Sequence, residues 1–365
     1  MPEPLDIPRR VDAILAAAVA ANASDVHVEP TARGGEVRLR IDGLLARHDT
    51  LSTDTAAAVV ARLMVLANLL TYRRDVPQEG RAGVTIAGRP TELRVSIMPT
   101  THGLRAAVRL PTTAGHLTDL DALALDPATR DLIDRFVRAD SGILAIVGPA
   151  GSGKTTTAYA VLDAVAAARP GLSIVSLEDP VERDLPAVTQ IQVQPFGQLT
   201  YAVALRSMLR QDPQVLMLGE VRDGETASIA VQAGLSGHRL VCTLHAADAG
   251  QAVSRLLEMG IEPYQVGGSL FGVIAQRLLR RTTANGYAGR LPVGEAVLVD
   301  EPMRRRIATK AEADELRALY RNRPGFVSLR AAAERRVTEG LTNIAEVNRV
   351  LGGPLVPSPG TPGEG

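Results

Sequence analysis

Apolar residues near the start of the chain, Val11, Ile14, Leu15, Ala18 and Val19, recur every three to four positions. That spacing predicts an amphipathic helix over residues 6–23. Residues 25–29 and 36–41 alternate apolar and polar side chains on either side of Gly34 and Gly35, the pattern of a β-hairpin. A second helix is expected over 53–70, and Arg62 and Asn68 mark its apolar stretch as amphipathic rather than membrane-spanning. Strand-like segments follow at 83–86, 92–97 and 104–110, with turns at Gly88 and between Pro99 and Gly103. Residues 1–110 therefore read as a small α+β domain.

Residues 111–117 are polar and turn-rich, as in a linker. Beyond them the period changes. Unbroken apolar runs at 143–147, 172–177, 190–193, 215–218 and 240–244 alternate with helical stretches, among them 156–168. Such runs suit strands buried on both faces, so an α/β domain with a doubly wound mixed or parallel sheet is expected over 118–351. Helices over 252–260 and 267–279 are expected to close it, followed by a helical part over 302–351 rich in Arg and Glu. The Pro/Gly-rich end, 352–365, is expected to be disordered.

Composition narrows the function classes. Aromatics are 3% of 365 residues and Trp is absent, so the core is built from Ala, Val, Leu and Ile. Lys+Arg and Asp+Glu are both 40. This zero net charge, with few aromatics, argues against a direct nucleic-acid surface, which needs basic excess and stacking partners. The single cysteine, Cys242, can form neither an internal disulfide nor a four-Cys zinc site, and mid-strand it reads as a buried small hydrophobe. No apolar signal-peptide core occurs in the first ten residues and no apolar run reaches 18, so a cytoplasmic location is expected, with any membrane contact made through partners.

Gly148, Pro149, Ala150, Gly151, Ser152, Gly153, Lys154 and Thr155 match the Walker A P-loop in full, between an apolar strand and a helix that opens at Thr156. The glycines let backbone N–H groups curl around phosphate oxygens, Lys154 reaches the β and γ phosphates, and the Thr155 hydroxyl binds Mg²⁺. Lysine occurs only at 154 and 310; every other basic position is arginine. At 154 the chain keeps the compact ammonium that fits a phosphate cradle. The strand 215–218 leads through Gly219 to Glu220, a Walker-B-like acid for Mg²⁺ or water, with glycine in place of the usual Asp. Glu178 and Asp179 end another strand and are expected to converge on the same loop, or else to cap the turn at Pro180. His238 and His245 flank the strand 240–244; periodicity alone favours structural histidines there.

These segments together resemble the type II secretion and type IV pilus assembly ATPases of the GspE/PulE/PilB type, from about residue 11 to 350. The opening Ala23-Ser-Asp-Val-His-Val-Glu-Pro30 and Val37-Arg-Leu-Arg-Ile-Asp-Gly43 are similar to the family's second N-terminal domain. Leu177-Glu-Asp-Pro-Val-Glu182 resembles its Asp box. Leu209-Arg-Gln-Asp-Pro213 with Gly219-Glu-Val-Arg-Asp223 resembles its Walker B region, and Gly234-Leu-Ser-Gly-His238 with Thr243-Leu-His245 its His box. Gln276-Arg-Leu-Leu-Arg280 is similar to the segment that follows.

The resemblance implies a RecA-like ATPase domain behind a PAS-like N-terminal domain, assembled as a homohexamer. ATP and Mg²⁺ would bind, and hydrolysis would drive an inner-membrane platform protein to assemble a pilus or pseudopilus. Glu220 and Glu178 would share the roles of base and metal-sphere acid. His238 and His245 would join the active site, and Arg81 and Arg94 would reach the phosphates as arginine fingers unless they are solvated strand residues. Three departures stand out. The resemblance starts at the family's second N-terminal domain, so the additional one is expected to be missing; Thr282 to Gly286 takes the place of a four-Cys zinc insertion, so that no zinc is expected; and Leu104 replaces an acid usual after His-Gly. Alternatives are a pilus retraction ATPase, a nucleic-acid-translocating P-loop motor and a ring subunit that holds ATP without turnover.

Overall fold

A computed structural model describes residues 6–111, 119–194 and 197–353. The chain divides into two compact units, Met1–Gly115 and His116–Gly365. The expected linker falls almost entirely outside the described residues, as does nearly all of the expected disordered end.

In the first unit, α1 (Ile7–Ala20), β1 (Asp25–Thr31), β2 (Gly34–Ile41), β3 (Leu44–Leu51), α2 (Thr53–Leu66), β4 (Gln78–Ile86), β5 (Arg89–Thr100) and β6 (Gly103–Arg109) follow in order. The strands form one antiparallel sheet in the order β3-β2-β1-β6-β5-β4, so the first and last strands pair at its centre. Helix α1 begins where the Asp6 carboxylate accepts the Arg9 N–H, and α2 where the Ser52 hydroxyl accepts that of Thr55. Both helices bury Val11, Ile14, Leu15, Val59, Val60 and Leu63 against Val26, Val28, Leu93, Val95 and Ile97 of the sheet. Strand β3 was not foreshadowed by pattern, because it is an edge strand whose side chains are almost all exposed.

The second unit holds α3 (Pro127–Arg138), β7 (Gly142–Val147), α4 (Lys154–Ala168), β8 (Ile174–Glu178), β9 (Thr189–Gln192), α5 (Tyr201–Met208), β10 (Val215–Leu218), α6 (Gly224–Leu235), β11 (Arg239–Leu244), α7 (Ala249–Glu258), α8 (Pro263–Ser269), β12 (Leu270–Thr283), β13 (Gly286–Leu298), α9 (Glu301–Ala308), α10 (Ala313–Arg321), α11 (Leu329–Thr338) and α12 (Ile344–Leu351). Its sheet runs β13-β12-β7-β11-β10-β8-β9, with parallel pairing throughout except for the antiparallel β12–β13 hairpin. The α/β class with a mixed sheet is as expected. Strands β7, β8, β10 and β11 are wholly buried, with apolar layers on both faces.

One expectation is corrected. Of residues 267–279 only 267–269 are helical: α8 ends at Ser269 and the rest is strand β12, paired with β7 as far as Ala275 and with β13 from Gly272 onward. Its apolar run fits either structure by composition, and burial on both faces decides it: Val273 and Ala275 pack in one layer, Ile274 in the other. Residues Ala284 and Asn285 form the turn into β13.

Candidate active site

Strand β7 delivers the chain to the P-loop at the carboxyl edge of the parallel sheet, where ligands of such sheets bind. Gly148, Gly151 and Gly153 have φ of 156°, 75° and 84°. At Gly148 the space is closed as well, since an added Cβ would lie 2.6 Å from both the Gln276 carbonyl oxygen and Ser152 Oγ. Helix α4 starts behind Gly153 with no side-chain cap on its first N–H groups, the arrangement an anion satisfies. Pro149 and Ala150 make the exposed crest, Ser152 is buried and Thr155 and Thr156 are half-buried in the first turn. These residues fit a nucleotide's phosphates.

Lys154 Nζ donates to the carbonyls of Gly148 and Pro149, each at 3.0 Å, which folds the side chain over the loop. Burial lowers its pKa, the Glu220 carboxylate works against that, and Arg277 reinforces it. Glu220 follows β10 by two residues. Its Oε2 accepts from Arg222 Nε and Nη2, both at 2.6 Å, and its Oε1 lies 2.9 Å from His245 Nε2. The segment is pinned by its neighbours: Gly219 N–H donates to Leu177 O at 2.8 Å, and Thr243 Oγ1 donates to Gly219 O at 2.6 Å. This explains glycine where an Asp is usual. A Cβ at 219 would crowd the Tyr201 hydroxyl at 3.0 Å and Leu177 O at 3.2 Å.

Glu178 stands one layer away from this group. Val175 and Leu177 face one side of the sheet, so Ser176 and Glu178 face the other, toward α4. Only 2% exposed, the Glu178 carboxylate accepts from the Tyr159 hydroxyl, from Ser176 Oγ at 2.6 Å and from Gln190 Nε2 at 3.0 Å. Among the described residues no hydrogen bond or ion pair joins Glu178 to Lys154 or Glu220; it touches the P-loop helix through Tyr159, whereas Asp179 reaches Arg222, the partner of Glu220, at 3.9 Å. The two histidines expected to join the active site lie at different ends of β11. His245 follows β11 at the carboxyl edge, whereas His238 precedes it at the opposite edge, seven residues and roughly 23 Å of extended chain away. There His238 Nδ1 sits 3.2 Å from both Ala233 O and Ser236 Oγ, closing the end of α6.

Arg81 and Arg94 are register partners across β4 and β5, on the sheet face opposite the helices of the first unit. Arg81 also pairs with Glu92 at 3.3 Å. In the second unit, sequence reasoning missed Gln276. Buried at 1%, it donates Nε2–H to Ser152 O at 2.7 Å and accepts from Thr157 Oγ1 at 2.8 Å, bracing the P-loop from β12. A polar residue inside the apolar run 270–279 was the available signal. Among the described residues no group of three His, Cys, Asp or Glu side chains is arranged to hold a metal. Any Mg²⁺ would rely on Thr155, Glu220 and the phosphates themselves.

Residues 4–349 match the family model described as type II/IV secretion system protein. The chain belongs to this family. A type II secretion system protein, HxcR of Pseudomonas aeruginosa, is 40% identical over 94% of the chain and 76% of its own length. The type IV pilus assembly ATPase PilB of Thermus thermophilus is 33% identical over 95% of the chain, which spans 44% of that protein. Among solved structures, the Legionella pneumophila ATPase DotB shares the fold with a TM-score of 0.72 at 21% identity, covering 96% of this chain and 97% of that one. Membership of the secretion family, with the P-loop intact, makes the chain an ATPase. No helix among the described residues is long and apolar enough to cross a membrane.

Proposed function

We propose that the chain is a cytoplasmic motor whose ATP hydrolysis powers type II secretion or type IV pilus assembly from the inner face of the membrane. The observation that carries this is the intact P-loop with Lys154 folded over it, together with the strand-end carboxylate of Glu220, gripped on separate oxygens by His245 and Arg222. On this reading the backbone N–H groups of the loop and Lys154 hold the β and γ phosphates. Thr155 and Glu220 would hold Mg²⁺, which supplies charge neutralisation on the phosphates when bound. Glu220 also orients the attacking water, and His245 fixes its rotamer. Glu178 acts through Tyr159 on α4 rather than on the nucleotide.

The proposal extends to assembly. The unit that carries Arg81 and Arg94 is a PAS-like domain, supported by its antiparallel sheet and paired helices, and the second unit is RecA-like. Arg81 and Arg94 serve as arginine fingers, which are worth about 10³–10⁵ in rate because they offset charge on the transferred phosphoryl group. The working form is a homohexamer bound to an inner-membrane platform protein, without direct nucleic-acid contact. Zero net charge supports that last point. The test is Mg²⁺-dependent ATP hydrolysis by the parent, Lys154→Ala and Glu220→Gln, with mass by light scattering. Activity in a hexameric parent, lost in both variants, is expected. An inactive hexamer that still binds ATP overturns the motor reading in favour of a nucleotide-holding scaffold.

A further inference from the structure

Several half-buried arginines of the second unit meet a carboxylate. Arg280 meets Glu346 at 2.7 Å, Arg317 meets Asp248 at 2.7 Å and Arg323 meets Asp300 at 2.5 Å. Arg277 does not, a property it shares with the buried Arg239, whose guanidinium donates to Val137 O at 3.0 Å at the other end of β11 from the P-loop. The Arg277 guanidinium bonds only to two backbone carbonyls, Gln276 O at 2.9 Å and Ala247 O at 3.4 Å, and no ion pair joins it to a carboxylate among the described residues. A cation withdrawn from water without a counter-ion is costly. Burial lowers its pKa, and Asp248 and Glu295 oppose this without reaching ion-pair distance.

Its position says what would complete it. The Gln276 carbonyl that Arg277 holds is the one packed against Gly148, where the P-loop begins. Ala247 lies two residues past His245, the histidine on Glu220. Arg277 is also the cation that acts with burial on Lys154. It thus lies between the start of the phosphate loop and the segment after the Glu220–His245 pair, with its donors on uncharged acceptors.

We propose that Arg277 is a phosphate ligand: when ATP binds, the guanidinium leaves the long Ala247 contact and takes the terminal phosphate beside Lys154, so that this subunit tells ATP from ADP. A planar fork suits two phosphate oxygens where a point charge suits one. The inference rests on the nucleotide site assigned above and names a further residue of it.

Calorimetric titration of the full chain with ADP and with a non-hydrolysable ATP analogue, both with Mg²⁺, tests it. Arg277→Gln is expected to weaken the analogue about tenfold to a hundredfold, the worth of charge-assisted hydrogen bonds, and to leave ADP affinity as in the parent. Arg277→Lys should fall between, which also covers the case that the glutamine variant misfolds. Equal losses for both nucleotides, or no loss for either, overturn the proposal and leave Arg277 a brace for two carbonyls. A Lys154→Ala control separates the two readings. If the parent itself binds neither nucleotide, the site assignment fails; if the parent binds both and Lys154→Ala neither, the site stands whatever Arg277 shows.

Discussion

His245 Nε2 approaches Glu220 Oε1 to 2.9 Å while Arg222 occupies the other oxygen, so the carboxylate is fixed from both sides. Removing one anchor frees a rotation without changing the loop that binds phosphates. His245→Ala is therefore expected to lower kcat about tenfold with KM little changed, the signature of an interaction used in the transition state. His245→Gln, whose amide can still donate, should recover part of the loss. Steady-state hydrolysis assays check both; a rise in KM at constant kcat would refute the positioning role.

Tyr159→Phe removes a donor from the buried Glu178 carboxylate and keeps the ring. Burial, and then the hydrogen bond to Glu178, raise the Tyr159 pKa far above its usual value, so the hydroxyl is always a donor. Stranding part of a buried acid costs about 1–3 kcal/mol. Urea denaturation should show that loss through a lower midpoint at unchanged slope.

Glu346 offers a pH test. Its carboxylate is buried, which opposes ionisation, but hydrogen bonds from Arg349 and Arg280 win and hold its pKa at about 2, against an ordinary 4.5. The depressed folded value means that this stabilisation is complete above about pH 4.5 and is lost as pH falls toward 2. It amounts to something on the order of 3 kcal/mol. Glu346→Gln should flatten the stability–pH curve in that window and leave its neutral-pH shape alone.

Cys242 is 3% exposed in β11, and burial pushes its thiol up to about 12. Native protein at pH 8 should resist a thiol-specific reagent and react at one site per chain once unfolded in urea. Rapid labelling of the native form would show that β11 is not the closed central strand described here.

The P-loop, Glu220 and the strands β7, β8, β10 and β11 were legible because each is local: a contiguous motif, or an apolar run of strand length. What stayed hidden was relational. Glu178 reads as a catalytic acid until alternation along β8 turns it toward Tyr159. His238 and His245 flank one strand in the sequence, and only the sheet shows that one lies at the P-loop edge and the other at the far edge. Residues 270–279 are equally apolar as helix or strand, and only two flanking strands decide between them. Gln276 and Arg277 took their meaning from that decision, so the error over the element hid the residues.

Strand β12 links two regions that sequence spacing alone does not connect. At Gln276 it holds the carbonyl of Ser152, and at Arg280, four residues along the same strand, it grips Glu346 of α12. Between these two residues β12 pairs continuously with β13. One hydrogen-bonded strand therefore joins the phosphate loop to α12, and the loop and the C-terminal helices belong to a single packed unit.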